Sequence, residues 1–183
     1  MTLNVLLPQI TAKYNPAQAT HPSIVIIIPT YCEEENIETL IRKIQKLHLD
    51  KTILVIDDSS PDKTQQIVKA LNKEYHNIIL LSRPKKLGLG TAITAGFRYV
   101  LKLFPQPDYI ITMDSDFSHN PLDIPRLVES AENGNELVIG SRYVSGGKMN
   151  NWSMKRQLIS RFANIIASLV IGKKMKDYTS GLW

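Results

Sequence analysis

Ser23–Ile28 (SIVIII) is an unbroken run of apolar, mostly β-branched residues. A strand with one wet face alternates apolar and polar side chains. An unbroken run predicts a strand covered on both faces, which is the habit of parallel sheets sandwiched by helices. Thr52–Ile56 (TILVI) repeats the pattern, and Asn77–Ser82, Tyr109–Met113 and Glu136–Ile139 supply three further strand candidates. Between them the apolar residues fall at helical spacing. Ile37, Leu40, Ile41, Ile44 and Leu47 form one stripe, and Ile67, Val68, Leu71 and Tyr75 another. Ile93, Phe97, Val100, Leu101 and Phe104 form a third, and Ile124, Leu127, Val128 and Ala131 a fourth. Thr30 and Glu33 have capping-box spacing ahead of the first helix. Ser60 with Pro61 and Asp62, and Asn120 with Pro121 and Asp123, read as helix starts. Gly88 and Gly90 open the third helix, Pro105 and Pro107 close it, and Asn133-Gly134 stops the fourth. This alternation predicts an α/β fold: a mainly parallel central sheet flanked by helices, in one domain.

The texture changes at both ends of that core. Residues 1–22 carry Pro8, Pro16 and Pro22 without a clean period and are expected to be a loosely ordered leader, so the domain is placed at 23–183. Residues 152–172 read as a basic amphipathic helix with Leu158, Ile159, Phe162, Ile165, Ile166 and Leu169 on its apolar stripe. The net charge is +5, and Ser141–Trp183 holds eight of the 22 Lys and Arg residues against a single acid, Asp177. Such asymmetry fits either an anionic partner near the C-terminal end or a solvated basic face. One cysteine, Cys32, excludes an internal disulfide framework and fits a reducing compartment. No run has the roughly 18 apolar residues of a spanning helix. The basic residues lack the interleaved aromatics of a stacking surface, which argues against nucleic acid as partner.

Acidic side chains collect where the strands end. Glu33 follows the first strand, Asp57 and Asp58 the second, and Asp114 and Asp116 the fourth. Parallel strands bring these ends to one edge of the sheet, where ligands of open α/β folds bind. Two carboxylates one residue apart suit Mg²⁺ or Mn²⁺, which keep waters and bind substrate phosphates as well. A solvated acidic turn before a helix cap is the alternative for Asp114 and Asp116. Asp57 reads as structural, Asp58 as the better contact, and His48 and His119 as surface or cap residues. There is no GxGxxG after the first strand and no GxxxxGK[ST], which argues against the usual dinucleotide and P-loop cradles.

Six segments in order resemble the family 2 inverting glycosyltransferases, in particular their dolichol-phosphate mannosyltransferase branch. Pro29–Asn36 (PTYCEEEN) resembles the family's PTYNEEEN, and Asp57–Thr64 (DDSSPDKT) its DDxSPDGT. Lys86–Ala92 is the branch's KLGLGTA, and Met113–Pro121 (MDSDFSHNP) is similar to MDADFSHHP. Gly140–Tyr143, Gly146-Gly147, Trp152, Arg156, Ser160 and Ala163-Asn164 follow its GSRY…GG…W…R…S..AN series, and Asp177–Gly181 begins DxTSGFR. The family continues past that motif, so the chain is expected to be a member truncated at its C-terminal end.

The resemblance implies a GT-A-type nucleotide-sugar-binding fold. It implies transfer of mannose from GDP-mannose to a polyprenyl (dolichyl-type) phosphate with inversion, assisted by Mg²⁺ or Mn²⁺. By position, Pro29, Tyr31, Glu33, Ile56 and Asp58 would hold the nucleotide. Asp114, Ser115 and Asp116 would lie along the diphosphate, with Asp114, Asp116 and Ser118 as metal ligands. Arg142 would meet the donor diphosphate, and Arg156 and Ser160 the acceptor phosphate; with Asp116 these form the expected catalytic set. The basic helix would rest on a membrane surface, giving a cytoplasmic enzyme peripheral at the cytosolic face of a membrane. Another nucleotide sugar, a soluble glycan acceptor, or nucleotide-sugar binding without turnover remain as alternatives.

Overall fold

The structure, a computed structural model, describes residues 23–104, 106–141, 159–160, 164–165, 167, 177 and 180–183. The leader and most of the basic helix at 152–172 lie outside them. The strand built on SIVIII, β1 (Ile24–Thr30), is buried along its whole length because it has a partner on each side. On one side β2 (Lys51–Asp57) runs parallel, in register from Ile24 opposite Lys51 to Thr30 opposite Asp57. On the other, β4 (Tyr109–Thr112) pairs in parallel from Ile24 opposite Tyr109 to Ile27 opposite Thr112. β3 (Ile78–Ser82) adds outside β2, so the order is β3-β2-β1-β4.

Successive side chains of β1 point to opposite faces, and both faces are dry. Ile24, Ile26 and Ile28 pack with buried residues of α1 (Ile37–Gln45), α2 (Thr64–Tyr75) and α4 (Ile124–Glu132). Val25 and Ile27 pack with α3 (Leu89–Leu103), through Ala92, Tyr99 and Val100. Each such side chain contributes about 2 kcal/mol on burial. An exposed, solvent-screened pair such as Arg42–Glu38 contributes far less, so apolar pattern rather than charge sets the register.

Several local expectations are corrected. Thr30 does not cap α1; it stays in β1 and its hydroxyl donates to Asp57, while Asn36 stands at the helix start. α2 begins at Thr64 rather than at Pro61, because the Asp62 carboxylate accepts from both the N–H and the hydroxyl of Thr64. In α3, Leu101 is 70% exposed, and Gly96 and Tyr99 face the sheet instead. Gly96 sets that phase: a Cβ there would lie 2.6 Å from Ile56 Cδ1 and 2.8 Å from Ile27 Cγ2, so the helix rests directly on the strands. Asn120 does cap the short 3₁₀ turn Pro121–Asp123 that leads into α4, accepting from the Leu122 N–H.

The fifth strand expected at Glu136–Ile139 is absent. Its place beside β4 is partly taken by the C-terminal residues. Trp183 exchanges both backbone hydrogen bonds with Thr112, and the Leu182 carbonyl accepts from the Gly140 N–H. Trp183 also stacks on Phe97 at 5.6 Å between ring centroids. The 136–139 run instead lines a groove beside β4 without pairing to it, and Leu137 is exposed.

Candidate active site

The chain builds the sheet outward from β1 to β2 to β3, then crosses back to place β4 on the other side of β1. The strand order therefore reverses between β1 and β4, the kind of switch point beyond whose carboxyl ends open α/β sheets bind ligands. Pro29, Thr30 and Tyr31 come to this point from β1, and Asp114, Ser115 and Asp116 from β4. The two ends are tied: the Met113 N–H donates to the Ile27 carbonyl, and Ser115 Oγ to the Pro29 carbonyl at 3.1 Å. Ser115 is buried, the Asp114 side chain is 29% exposed and Asp116 is open to solvent. Asp116 Oδ1 accepts from the Ser118 N–H at 2.9 Å, closing a tight turn in which Phe117 takes a left-handed conformation, φ 59°.

On the β2 side the two adjacent aspartates have different surroundings. Asp57 is wholly buried and accepts from Thr30 and Ser60 hydroxyls, the Ser60 N–H and Gln65 Nε2, so it organises the β2–α2 turn. Asp58 is buried too. Its Oδ1 takes both Nε and Nη2 of buried Arg83, and its Oδ2 accepts the Leu87 and Gly88 N–H groups at 2.9 and 3.0 Å. A carboxylate offers about four acceptor positions, and the protein fills all of them here. Asp58 thus shapes the loop from Arg83 to Gly88, and a direct contact to a ligand is not what its geometry provides. Arg83 also reaches Thr91 Oγ1 and the Gly88 carbonyl.

Tyr31 stands at the rim, with the Lys86 ammonium 3.8 Å from its ring centroid. Glu33 accepts from Asn36 Nδ2, and its own N–H donates to Thr64 Oγ1. Pro29 and Ile56 are buried in the sheet beneath. Cys32 is exposed in a left-handed turn, held by Ser60 Oγ on its N–H.

Four features at the acidic end were missed by the sequence reading: His119, Ser180, Gly181 and the Arg83 partnership. His119, read from the sequence as a surface or cap residue, is buried. Its Nδ1 lies 3.2 Å from Ser118 Oγ and 3.7 Å from Asp114 Oδ2, and its Nε2 lies 3.4 Å from Ser180 Oγ. Gly181 presses on Asp114; a Cβ on it would stand 2.2 Å from Oδ2. An arginine just past a parallel strand whose neighbour ends in Asp-Asp was the one available signal, for Arg83.

Arg142 and Arg156 lie outside the described residues. Ser160 is buried in a helical turn, its carbonyl accepting from Asn164 Nδ2. Ile159 and Ile165 of the expected apolar stripe are exposed. Among the described residues no group of three or more His, Cys, Asp and Glu side chains converges as a metal cage. Two carboxylates and a hydroxyl at Asp114, Asp116 and Ser118 instead fit a divalent cation that shares its coordination with water and phosphate oxygens. A groove of about 320 Å³ along the free edge of β4, lined by Ile111, Leu127, Val128 and Trp183, holds none of these residues. Among the described residues no helix is long and apolar enough to cross a membrane.

Known proteins resemble this chain in sequence and in fold. The dolichol-phosphate mannosyltransferase of Pyrococcus furiosus is 38% identical over 164 residues, which is 87% of this chain and 45% of that protein. The polyprenol monophosphomannose synthase of Mycolicibacterium smegmatis is 35% identical over 171 residues, 93% of this chain and 62% of its own. The chain therefore spans about half the length of these curated relatives. The glucosyl-3-phosphoglycerate synthase of Mycobacterium tuberculosis, solved with Mn²⁺, uridine diphosphate and glucosyl-3-phosphoglycerate, superposes with a TM-score of 0.62. That match has 21% identity and covers 88% of this chain and 55% of the other. The fold is thus the GT-A glycosyltransferase fold. Residues 25–183 match the family described as Glycosyl transferase family 2, and the chain belongs to that family.

Proposed function

We propose that the protein transfers mannose from GDP-mannose to a polyprenyl phosphate, with inversion at the anomeric carbon and with Mg²⁺ or Mn²⁺ assisting. The observation that carries this is the acidic turn Asp114–Ser118 pinned at the β1–β4 switch point, in a chain whose curated relatives are named for this chemistry. Pro29, Tyr31, Glu33, Ile56 and the Asp58–Arg83 unit form the nucleotide side. Tyr31 offers a ring face to the base, and Asp58 acts through the loop it holds. Asp114, Asp116 and Ser118 would hold the cation, with Ser115 anchoring their turn to β1.

A bound divalent cation supplies positive charge against the departing nucleoside diphosphate. Arg142 adds to that charge from the chain itself, stabilising what develops as the bond to the leaving group lengthens. Arg156 and Ser160 hold the acceptor phosphate. A phosphate monoester has its second pKa near ~6, so the acceptor is already an anionic nucleophile at neutral pH and needs no strong base. The protein works at the cytosolic face of a membrane, where basic residues near the C-terminal end meet anionic headgroups.

Labelled GDP-mannose, polyprenyl phosphate and Mn²⁺ test this directly. Label entering the organic phase as an acid-labile mannolipid is expected. A water-soluble product would redirect the reading to a soluble acceptor, and bound but unconverted donor would favour nucleotide-sugar binding without turnover.

A further inference from the structure

We infer that His119 is a positioning residue that aims the Ser118 hydroxyl at a divalent cation–nucleoside diphosphate complex. The inference rests on the donor-site reading above. Its starting point is burial: Ser118 and Asn120 on either side are exposed, while His119 is 7% exposed. A buried imidazole needs partners for both nitrogens, and here they come from two distant segments.

The hydrogen-bond network fixes which nitrogen carries the proton. Ser180 Oγ donates its single proton to the Gly140 carbonyl at 2.7 Å and accepts the Leu182 N–H. Its remaining lone pair can only accept, so the His119 Nε2 that faces it at 3.4 Å carries hydrogen. In the neutral ring Nδ1 is then an acceptor, and Ser118 Oγ at 3.2 Å donates to it. That turns the Ser118 hydroxyl hydrogen inward and leaves its oxygen lone pairs for a cation, the orientation a metal-binding hydroxyl requires. Asp114 lies between the two sides of this device. His119 Nδ1 is 3.7 Å from its Oδ2, beyond hydrogen-bond distance, and the Gly181 backbone closes the other flank. The imidazole thereby couples the acidic turn to residues 180–183.

Two substitutions separate positioning from mere support. His119→Asn keeps a polar atom near Nδ1 and loses the reach to Ser180. His119→Gln keeps one near Nε2 and loses the acceptor for Ser118. Free Mn²⁺ is followed by electron paramagnetic resonance while it is titrated into each protein with GDP present, and thermal melting is recorded alongside. Positioning predicts that His119→Gln weakens Mn²⁺ by about ten- to hundredfold, the usual effect of losing an outer-sphere partner, while His119→Asn retains most of the affinity despite a lower melting temperature. Wild-type Mn²⁺–GDP binding with an unchanged affinity in His119→Gln overturns the inference alone. Wild-type protein that takes up no Mn²⁺ with GDP overturns the donor-site reading and the inference together.

Discussion

Substituting Gly181 with alanine asks whether the Asp114 carboxylate is held in a working position. The added methyl would stand 2.2 Å from Oδ2 and 2.6 Å from both Cγ and Oδ1. Ordinary contact begins near 3.4 Å, so the carboxylate must retreat by about 1 Å or rotate about its χ angles. Metal–ligand distances tolerate shifts of only about 0.2 Å, so a retreat of this size takes Asp114 out of the proposed cation site. The fold loses little, because Asp114 is the partly exposed end of a short side chain and can swing toward solvent. Calorimetric titration of GDP with Mn²⁺ should therefore show affinity lowered by at least about tenfold. The urea midpoint should stay near the wild-type value. Wild-type affinity in Gly181→Ala would refute the reasoning, since it would mean that Asp114 contributes nothing from its present position. A collapse of stability would refute it differently, by showing the 180–183 segment to be structural first.

The other glycine contact should behave in the opposite way. Gly96→Ala presses on Ile27 and Ile56; overpacking of about 2 kcal/mol outweighs about 1 kcal/mol of helix propensity, giving a net loss of about 1 kcal/mol in urea unfolding. Asp58→Asn strands the buried Arg83 guanidinium and is expected to cost about 3–5 kcal/mol, with loss of hydrogen-exchange protection at the Leu87 and Gly88 amides. At Asp62, partial burial pushes the carboxyl upward, but hydrogen bonds from the Thr64 hydroxyl and the Thr64 and Glu34 amides outweigh it and hold the pKa below the ordinary aspartate value. A lowered folded pKa means that the unfolded chain binds more protons, so stability rises with pH through this range. The contribution is complete above the ordinary aspartate pKa and disappears as pH falls through the lowered one. Urea midpoints measured from neutral to acidic pH should decline less steeply at the acid end in Asp62→Asn.

The strands that form the sheet's centre were legible because their signal is local. Ser23–Ile28 and Thr52–Ile56 need cover on both faces, and parallel pairing follows. The acidic edge was legible for the same reason, since strand polarity alone brings Asp57, Asp58, Asp114 and Asp116 to one side. What escaped depended on partners far along the chain. Glu136–Ile139 has the pattern of a strand, but Ser180–Trp183, which reads as loop, holds part of the position beside β4. Leu101 continues an apolar stripe, yet the close seat at Gly96 turns it outward. His119 looks like one more polar loop residue until Ser180 lies against it. Asp57 reads as structural and is so, but no local rule shows that protein donors fill Asp58 as well.

The hydrogen bond from Thr112 Oγ1 to the Trp183 carbonyl joins residues separated by 71 positions. This separation orders events during synthesis. β1, β2 and β3 with α1, α2 and α3 can assemble once residues near 103 have left the ribosome. The flank of Asp114 is finished only when Gly181 arrives, and the edge of β4 stays open until then. A nascent chain paused between those points would carry the formed β1–β3 half beside an unfinished acidic turn, with an unpaired strand edge available to other chains.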